Sequence, residues 1–245
     1  YNDDSLMLHN DLYQINMAES YWNDGIHERI AVFDLYFRKM PFNSGYAVFN
    51  GLKRVVNFIE KFGFTNEDIT YLKSIGYEED FLNYLKDLKF TGNIKSMQEG
   101  EICFGNEPLL RVEAPLIQAQ LIETILLNII NFQTLIATKA SRIRQIATHD
   151  TLMEFGTRRA QEIDAALWGA RAAFIGGFDS TSNVRAGKLF NIPVSGTHAH
   201  ALVQTYGDEY IAFKKYAERH KNCVFLVDTF HTLKSGVPTA IKVAK

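Results

Sequence analysis

The chain has 245 residues, 47% of them hydrophobic and 22% charged, enough for one large globular domain or two modest ones. Its 26 basic residues stand against 28 acidic ones, with no polybasic run, which argues against the concentrated basic face that phosphate-driven nucleic-acid binding needs. Only Cys103 and Cys223 occur, which argues against a disulfide framework or a Cys-rich zinc site and makes a reducing cytoplasm the expected compartment.

YNDDSLMLHNDLY (1–13) lacks the basic start and apolar core of a secretory signal. NDLYQINMAESYW (10–22) places Leu12, Ile15, Met17 and Tyr21 on a broad helical face, with Asn10 or Asp11 as its N-cap. AVFDLYFRK (31–39) is aromatic and β-branched and reads as a strand. Residues 42–63 turn at Asn43-Ser44-Gly45 and then form an amphipathic helix ending at Gly63. Two short charged helices follow at 65–76 and 78–90. Three extended pieces come next, around 92–97, 100–104 and 108–113, punctuated by glycines. Together they predict an N-terminal α+β domain over residues 1–114.

The rhythm changes at Pro115. Residues 115–148 contain neither glycine nor an internal proline and read as one very long helix or two abutting ones. Its stretch TILLNIINFQTLIAT (124–138) carries Asn128, Asn131 and Gln133, whereas a spanning helix needs about 20 predominantly apolar residues. A helix buried between layers is expected, and no membrane association. Strand and helix then alternate: strands at 151–156, 178–183, 192–197 and 222–229, helices at 158–177, 184–191, 198–220 and 230–245. That alternation predicts βα units around a parallel sheet. A closed (β/α) barrel has eight such units, and four are visible. Residues 115–245 therefore read as the first half of a barrel, and the chain as the N-terminal portion of a larger protein.

Ligands of parallel α/β folds bind beyond the carboxyl ends of the strands. Here those ends read Glu154-Phe155-Gly156-Thr157-Arg158-Arg159, Asp179-Ser180-Thr181-Ser182-Asn183, Ser195-Gly196-Thr197-His198-Ala199-His200 and Asp228-Thr229. Any one of these loops is explained by helix capping alone. Four in a row, converging on one rim, suit a phosphorylated anionic substrate. The HAH pair is a poor metal site, because residues i and i+2 of a helix face different directions and no other histidine has a matching spacing. Two readings stay open for it: two structural histidines, or a rim imidazole that holds or accepts phosphate.

Residues 154–187 (EFGTRRAQEIDAALWGARAAFIGGFDSTSNVRAG), 194–204 (VSGTHAHALVQ), 227–241 (VDTFHTLKSGVPTAI) and 9–22 (HNDLYQINMAESYW) resemble nicotinate phosphoribosyltransferase. The resemblance implies a type II phosphoribosyltransferase fold, an N-terminal α+β domain followed by an irregular α/β barrel. It implies nicotinate and phosphoribosyl pyrophosphate as substrates, ATP and Mg²⁺ as cofactors, and a head-to-tail homodimer. It makes His200 the histidine phosphorylated by ATP and His198 a structural neighbour. Phe155 is similar to the aromatic that stacks on the pyridine ring, with Tyr13 of the neighbouring subunit on the other face. Arg158 resembles a phosphoribosyl contact and Arg159 a phosphate or carboxylate contact. Thr181, Ser182 and Asn183 resemble the pyridine end, Gly196 and Thr197 line the same substrate site, and Asp228 lies near the ribose or metal. No residue is assigned as a dedicated metal ligand.

In the amide-using relative an aspartate stands where Ser182 is, and the second arginine is missing. An aspartate would repel a substrate carboxylate that Ser182 and Arg159 can bind, so the acid is the expected substrate. The alternatives are the nicotinamide- or quinolinate-using relatives and a non-catalytic nucleotide-binding regulator. Phe230-His231 departs from the Tyr-Asp usual in the family. The family's later Asp-Ser-Gly-Asp loop and glycine-rich phosphate loop have no counterpart before Lys245.

Overall fold

A computed structural model describes residues 6–245; residues 1–5, where both the expected N-terminal domain and the test for a leader begin, lie outside them. The first module is built of α1 (Leu12–Asn23), β1 (Ile30–Leu35), β2 (Ala47–Val48), α2 (Leu52–Glu60), α3 (Asn66–Ser74), α4 (Glu79–Asp87), β3 (Asn93–Ser96), β4 (Ile102–Cys103) and β5 (Leu110–Pro115). β5 is the centre of an antiparallel sheet in the order β1-β5-β3. Its Leu110, Val112 and Ala114 alternate inward, as the period of a strand demands. On the other face Arg111 forks onto its cross-strand partner Asp34 at 2.7 and 2.8 Å.

The long apolar segment is one helix, α5 (Leu116–Ile146), of 31 residues. By length and composition it could cross a membrane, but it is the core helix. Ile117, Leu121, Ile122, Ile125, Leu126, Ile129 and Ile130 belong to the same apolar cluster as Phe49, Phe58, Phe81 and Leu85 of the first module. Its second half carries α6 (Glu162–Ile175). After α5 come β6 (Met153–Glu154), α6, β7 (Ser180–Thr181), α7 (Val184–Phe190), α8 (His200–Tyr206), α9 (Glu209–Ala217) and α10 (Val237–Ala244).

Several expectations need correction. α1 buries Gln14, Ile15 and Ala18; of the face expected from Leu12, Ile15, Met17 and Tyr21, Ile15 is buried and Met17 and Tyr21 are partly buried, but Leu12 is 62% exposed. The reason is a polar seam: Gln14 donates to Glu123 at 3.0 Å and accepts from Gln120, which draws the Gln14 side onto α5. Asp11 is the N-cap residue without a side-chain cap, while Asn10 donates to Leu121 O at 2.7 Å. The helix expected from the 43–45 turn to Gly63 spans only 52–60, because β2 occupies the stretch after the turn to pair with β4. The helix expected from 158 begins at Glu162, since Thr157–Arg159 form a 3₁₀ turn. The strands expected at 192–197 and 222–229 contract to single parallel bridges, Thr181 to Val194 and Thr197 to Val224.

Ion pairs latch the two parts together. Glu99, nearly buried, accepts from Arg171 of α6 at 2.6 and 2.9 Å and from the N–H groups of Gly51 and Lys53 at the start of α2. Gly51 sits at φ +110°, which suits a residue without Cβ. Arg54 of α2 reaches Asp164 of α6 at 2.5 Å and lies over the Trp168 ring. Burial alone would raise the Glu99 carboxyl, but the Arg171 guanidinium and the two N–H donors outweigh it and hold the group below the usual glutamate range. A depressed folded pKa means this stabilisation is complete above the unfolded value and is lost as pH falls through the folded one. Glu99→Gln should therefore cost about 3 kcal/mol at neutral pH, a difference from wild type that shrinks in acid. Urea unfolding at several pH values checks both the size and the trend.

Candidate active site

The short strands fix where the loops go. β6 and β7 pair in parallel, with Met153 opposite Ser180 and Glu154 opposite Thr181. Val194 lies parallel to Thr181, and Val224 parallel to Thr197. Four successive segments thus run the same way, and the residues that follow each of them emerge on one side. Loops 155–159, 182–183, 195–200 and 225–229 share that rim.

Each loop is shaped locally. Gly156 O accepts the N–H groups of Arg159 and Ala160, closing the tight turn that presents Arg158 and Arg159. Asn183 caps α7, its side-chain oxygen accepting from Ala186 N at 3.0 Å. A cavity of about 500 Å³ opens between the loops, within the range of small-molecule sites. Phe155, Thr157 and Arg158 line it from the first loop, Ser182 from the second, and Ser195, Gly196 and Thr197 from the third. An adjoining cavity of about 380 Å³ shares Thr157 and reaches Asn183 and Arg185. Arg158 and Arg159 are exposed and, among the described residues, in no ion pair, so both guanidiniums are available to an anion.

The two histidines separate cleanly. His198 is 7% exposed and packs against Phe213, Tyr216 and Phe225, with ring centroids at 5.4, 5.1 and 6.3 Å. Its Nε2 accepts from Leu226 N at 3.2 Å, and its Nδ1 faces Ala199 O at 3.3 Å, so the ring serves the fold as the Nδ1–H tautomer. His200 opens α8 with its side chain half-exposed. Its Nδ1 lies 3.2 Å from the Thr229 hydroxyl, and its Nε2 lies 3.9 Å from Asp228 Oδ1. The fourth loop thereby sets the orientation of the ring on the third. His200 and Asp228 stand beside the cavity and do not line it.

Other expected site residues fall elsewhere. Thr181 has no exposed surface; its hydroxyl donates to Glu154 at 2.7 Å and accepts from Asn183 N at 3.0 Å, which places it behind the rim. Asp179 precedes β7 and so sits at the opposite end of the strand, where it accepts from Leu152 N at 2.7 Å and Arg144 at 2.5 Å. That backbone N–H, and then the arginine, lower its carboxyl below the usual range. Tyr13 is half-exposed on α1 and does not line the rim cavity of its own chain. Sequence reading missed Tyr216, which lines the cavity from α9, and Arg185 in the adjoining one. Arg185 follows the Ser-Thr-Ser-Asn loop by two residues and was legible from that position. Tyr216 carried no signal, being one aromatic on a helix. Among the described residues no group of three or more His, Cys, Asp or Glu is placed to hold a metal ion.

A model of the nicotinate phosphoribosyltransferase (NAPRTase) N-terminal domain matches residues 8–131. Nicotinate phosphoribosyltransferase of Bacillus subtilis (strain 168) is 67% identical over an alignment that takes in the whole of this chain and 50% of that protein. The Dictyostelium discoideum enzyme of the same name is 40% identical, covering 96% of this chain and 47% of its own length. The crystal structure of human nicotinic acid phosphoribosyltransferase superposes with a TM-score of 0.82 at 30% identity, over 96% of this chain and 57% of that one. The crystal structure of nicotinate-nucleotide pyrophosphorylase from Pyrococcus furiosus gives 0.77 at 26% identity, over 94% and 53%. The chain spans about half the length of the curated relatives it matches.

The geometry predicts opposite outcomes for the two histidines. His198→Ala leaves a cavity and an unpaired Leu226 N–H and should cost about 2–4 kcal/mol in urea unfolding. His200→Ala should change stability by less than about 0.5 kcal/mol. Equal costs would contradict the assignment of one ring to the fold and the other to the rim.

Proposed function

The chain belongs to the nicotinate phosphoribosyltransferase family, and from that premise we propose that the complete protein joins nicotinate to phosphoribosyl pyrophosphate. The products are nicotinate mononucleotide and pyrophosphate, in NAD salvage, with ATP hydrolysis coupled to the transfer. The observation that carries this reading is the rim: an aromatic ring, two unpaired guanidiniums, a hydroxyl and an oriented imidazole gathered from separate loops at one end of the parallel segments. We read those segments as the first part of an irregular type II α/β barrel over residues 115–245, set behind an α+β domain of residues 1–114. The run of parallel neighbours supports this.

The pyridine ring stacks on Phe155. Its carboxylate accepts from the Ser182 hydroxyl and pairs with Arg159, while Arg158 holds the sugar phosphate. No carboxylate lines the cavity to repel an acid, which favours nicotinate over the amide. The ring nitrogen forms its bond to the anomeric carbon as the bond to pyrophosphate breaks, through an oxocarbenium-like state. The residues orient the nitrogen and balance the departing charge. His200 accepts the terminal phosphoryl group of ATP: a nitrogen–phosphorus bond forms and ADP leaves. Water later attacks that phosphorus and releases phosphate. Thr229 and Asp228 hold the ring for this exchange.

The rim donors do not form a protein cage for Mg²⁺. Asp228 is the rim carboxylate that would supply an oxygen to Mg²⁺, and the ion bound there would help balance the pyrophosphate's charge. Tyr13, exposed on α1, completes the ring sandwich in a neighbouring subunit of a head-to-tail homodimer. Free Cys103 and Cys223 suit a cytoplasmic enzyme.

The test is an assay of the complete protein with nicotinate, phosphoribosyl pyrophosphate and ATP, omitting each in turn. Nucleotide should form only with the first two and increase with ATP. Preference for another pyridine base would move the protein to a sister activity, a possibility motivated by its likeness to the pyrophosphorylase structure. Absence of turnover with every base would make it a non-catalytic relative. His200→Ala should abolish acid-labile phosphoprotein and ATP coupling while slow uncoupled transfer persists; undiminished phosphohistidine would exclude His200 as the phosphorylated residue.

A further inference from the structure

Glu154 ends β6 directly below the rim. Its carboxylate makes no ion pair among the described residues, although Arg158 and Arg159 follow within five positions. One oxygen, Oε1, accepts from the backbone N–H of Gly156, in the first rim loop. The other, Oε2, accepts from the buried Thr181 hydroxyl at 2.7 Å, at the root of the second. That hydroxyl in turn accepts from Asn183 N at 3.0 Å, and Asn183 caps α7. The carboxylate is thus a pin across two loops that carry Phe155 and Arg158 on one side and Ser182 on the other. The carboxylate lies close over the turn: a Cβ added at Gly156 would stand 2.7 Å from Glu154 Oε1, at an ordinary φ of −80°.

We propose that Glu154 is a positioning residue for the transfer reaction: by holding Gly156 and Thr181 at once, it sets the distance between the ring-stacking loop and the loop that receives the substrate's carboxylate. The inference rests on the transferase reading for its kinetic consequence and on the contacts alone for its structural one. Neutral donors from two loops engage both carboxylate oxygens, and the neighbouring guanidiniums, which make no ion pair to it, remain for the anionic substrate. Removing the carboxylate leaves the backbone bond from Ser182 N to Glu154 O at 3.0 Å but frees the turn at Gly156 and the Thr181 hydroxyl from each other. A misplacement of about 1 Å near reacting groups can cost on the order of 100-fold in rate.

The experiment uses the complete protein and the variants Glu154→Ala, Glu154→Gln, Thr181→Val, Thr181→Ser and the double variant Glu154→Ala/Thr181→Val. Steady-state kinetics, melting temperature and amide hydrogen exchange at Gly156 and Asn183 are measured for each. Glu154→Ala and Thr181→Val should each raise KM for nicotinate by about tenfold or more with a smaller change in kcat. Exchange should accelerate at both amides but not in α5. Glu154→Gln, which loses one acceptor, should fall between, and Thr181→Ser should retain wild-type values. The double variant should be no worse than the worse single variant, because both break one linkage. Unchanged KM and exchange, fully additive effects, or a loss that follows melting temperature from variant to variant would overturn the proposal. If the wild-type protein shows no transfer, the functional reading fails on its own. The exchange rates then decide: acceleration at both amides supports the pin, and unchanged rates refute it.

Discussion

Parallel alignment is the constraint on which the site depends. Two-residue strands and single bridges supply few hydrogen bonds, yet they make consecutive segments run the same way. The geometry of a parallel neighbour then decides which residues can meet. Phe155, Ser182 and Thr197 come from three separate loops and line one cavity because each follows the end of a segment pointing to the same side. Were one of those segments reversed, its loop would open at the far end, where Asp179 already sits bound to Arg144 and Leu152.

Such short strands cannot stand alone, and the rest of the chain holds them. The first half of α5 completes the core of the first module, and its second half carries α6. α6 is then latched by Arg171 to Glu99 and by Asp164 to Arg54, with Arg54 also covering Trp168. These contacts combine charge with planar stacking, a use that suits arginine better than lysine. Glu99 serves the latch and the start of α2 together, since its oxygens take both the guanidinium and the first N–H groups of that helix. Anchoring of this kind is rigid on the side of the α+β module and leaves the rim loops to be set by local capping and by Glu154.

Much of this was legible in the sequence. The glycine-free, apolar run after Pro115 was legible as a buried helix, though not whether it was one helix or two, and β5 was legible only as an extended piece around 108–113. The candidate residues were readable because polar loops recur after each apolar strand. Three things were not. Burial of Gln14 depends on Gln120 and Glu123, more than a hundred residues away, so helical periodicity found Ile15 but put exposed Leu12 on the buried face and left Gln14 off it. Register along a two-residue strand decides whether a polar residue lies above or behind the rim, and no local pattern separates Thr181 or Asp179 from Ser182. The HAH motif offered two rings with no local difference; the aromatic box of Phe213, Tyr216 and Phe225 shows that His198 belongs to the core, while His200 stands half-exposed at the rim beside Thr229 and Asp228.

The central claim is that one end of the parallel segments is the place where pyridine acid and sugar phosphate meet. A crystal structure of the complete protein with nicotinate and phosphoribosyl pyrophosphate tests it most directly. The pyridine ring should lie against Phe155 and the phosphates beside Arg158, in the cavity bounded by Ser182 and Thr197. Ligands bound instead in the other large cavity, of about 480 Å³ between Leu35, Tyr36 and Leu126, with the rim empty, would contradict it.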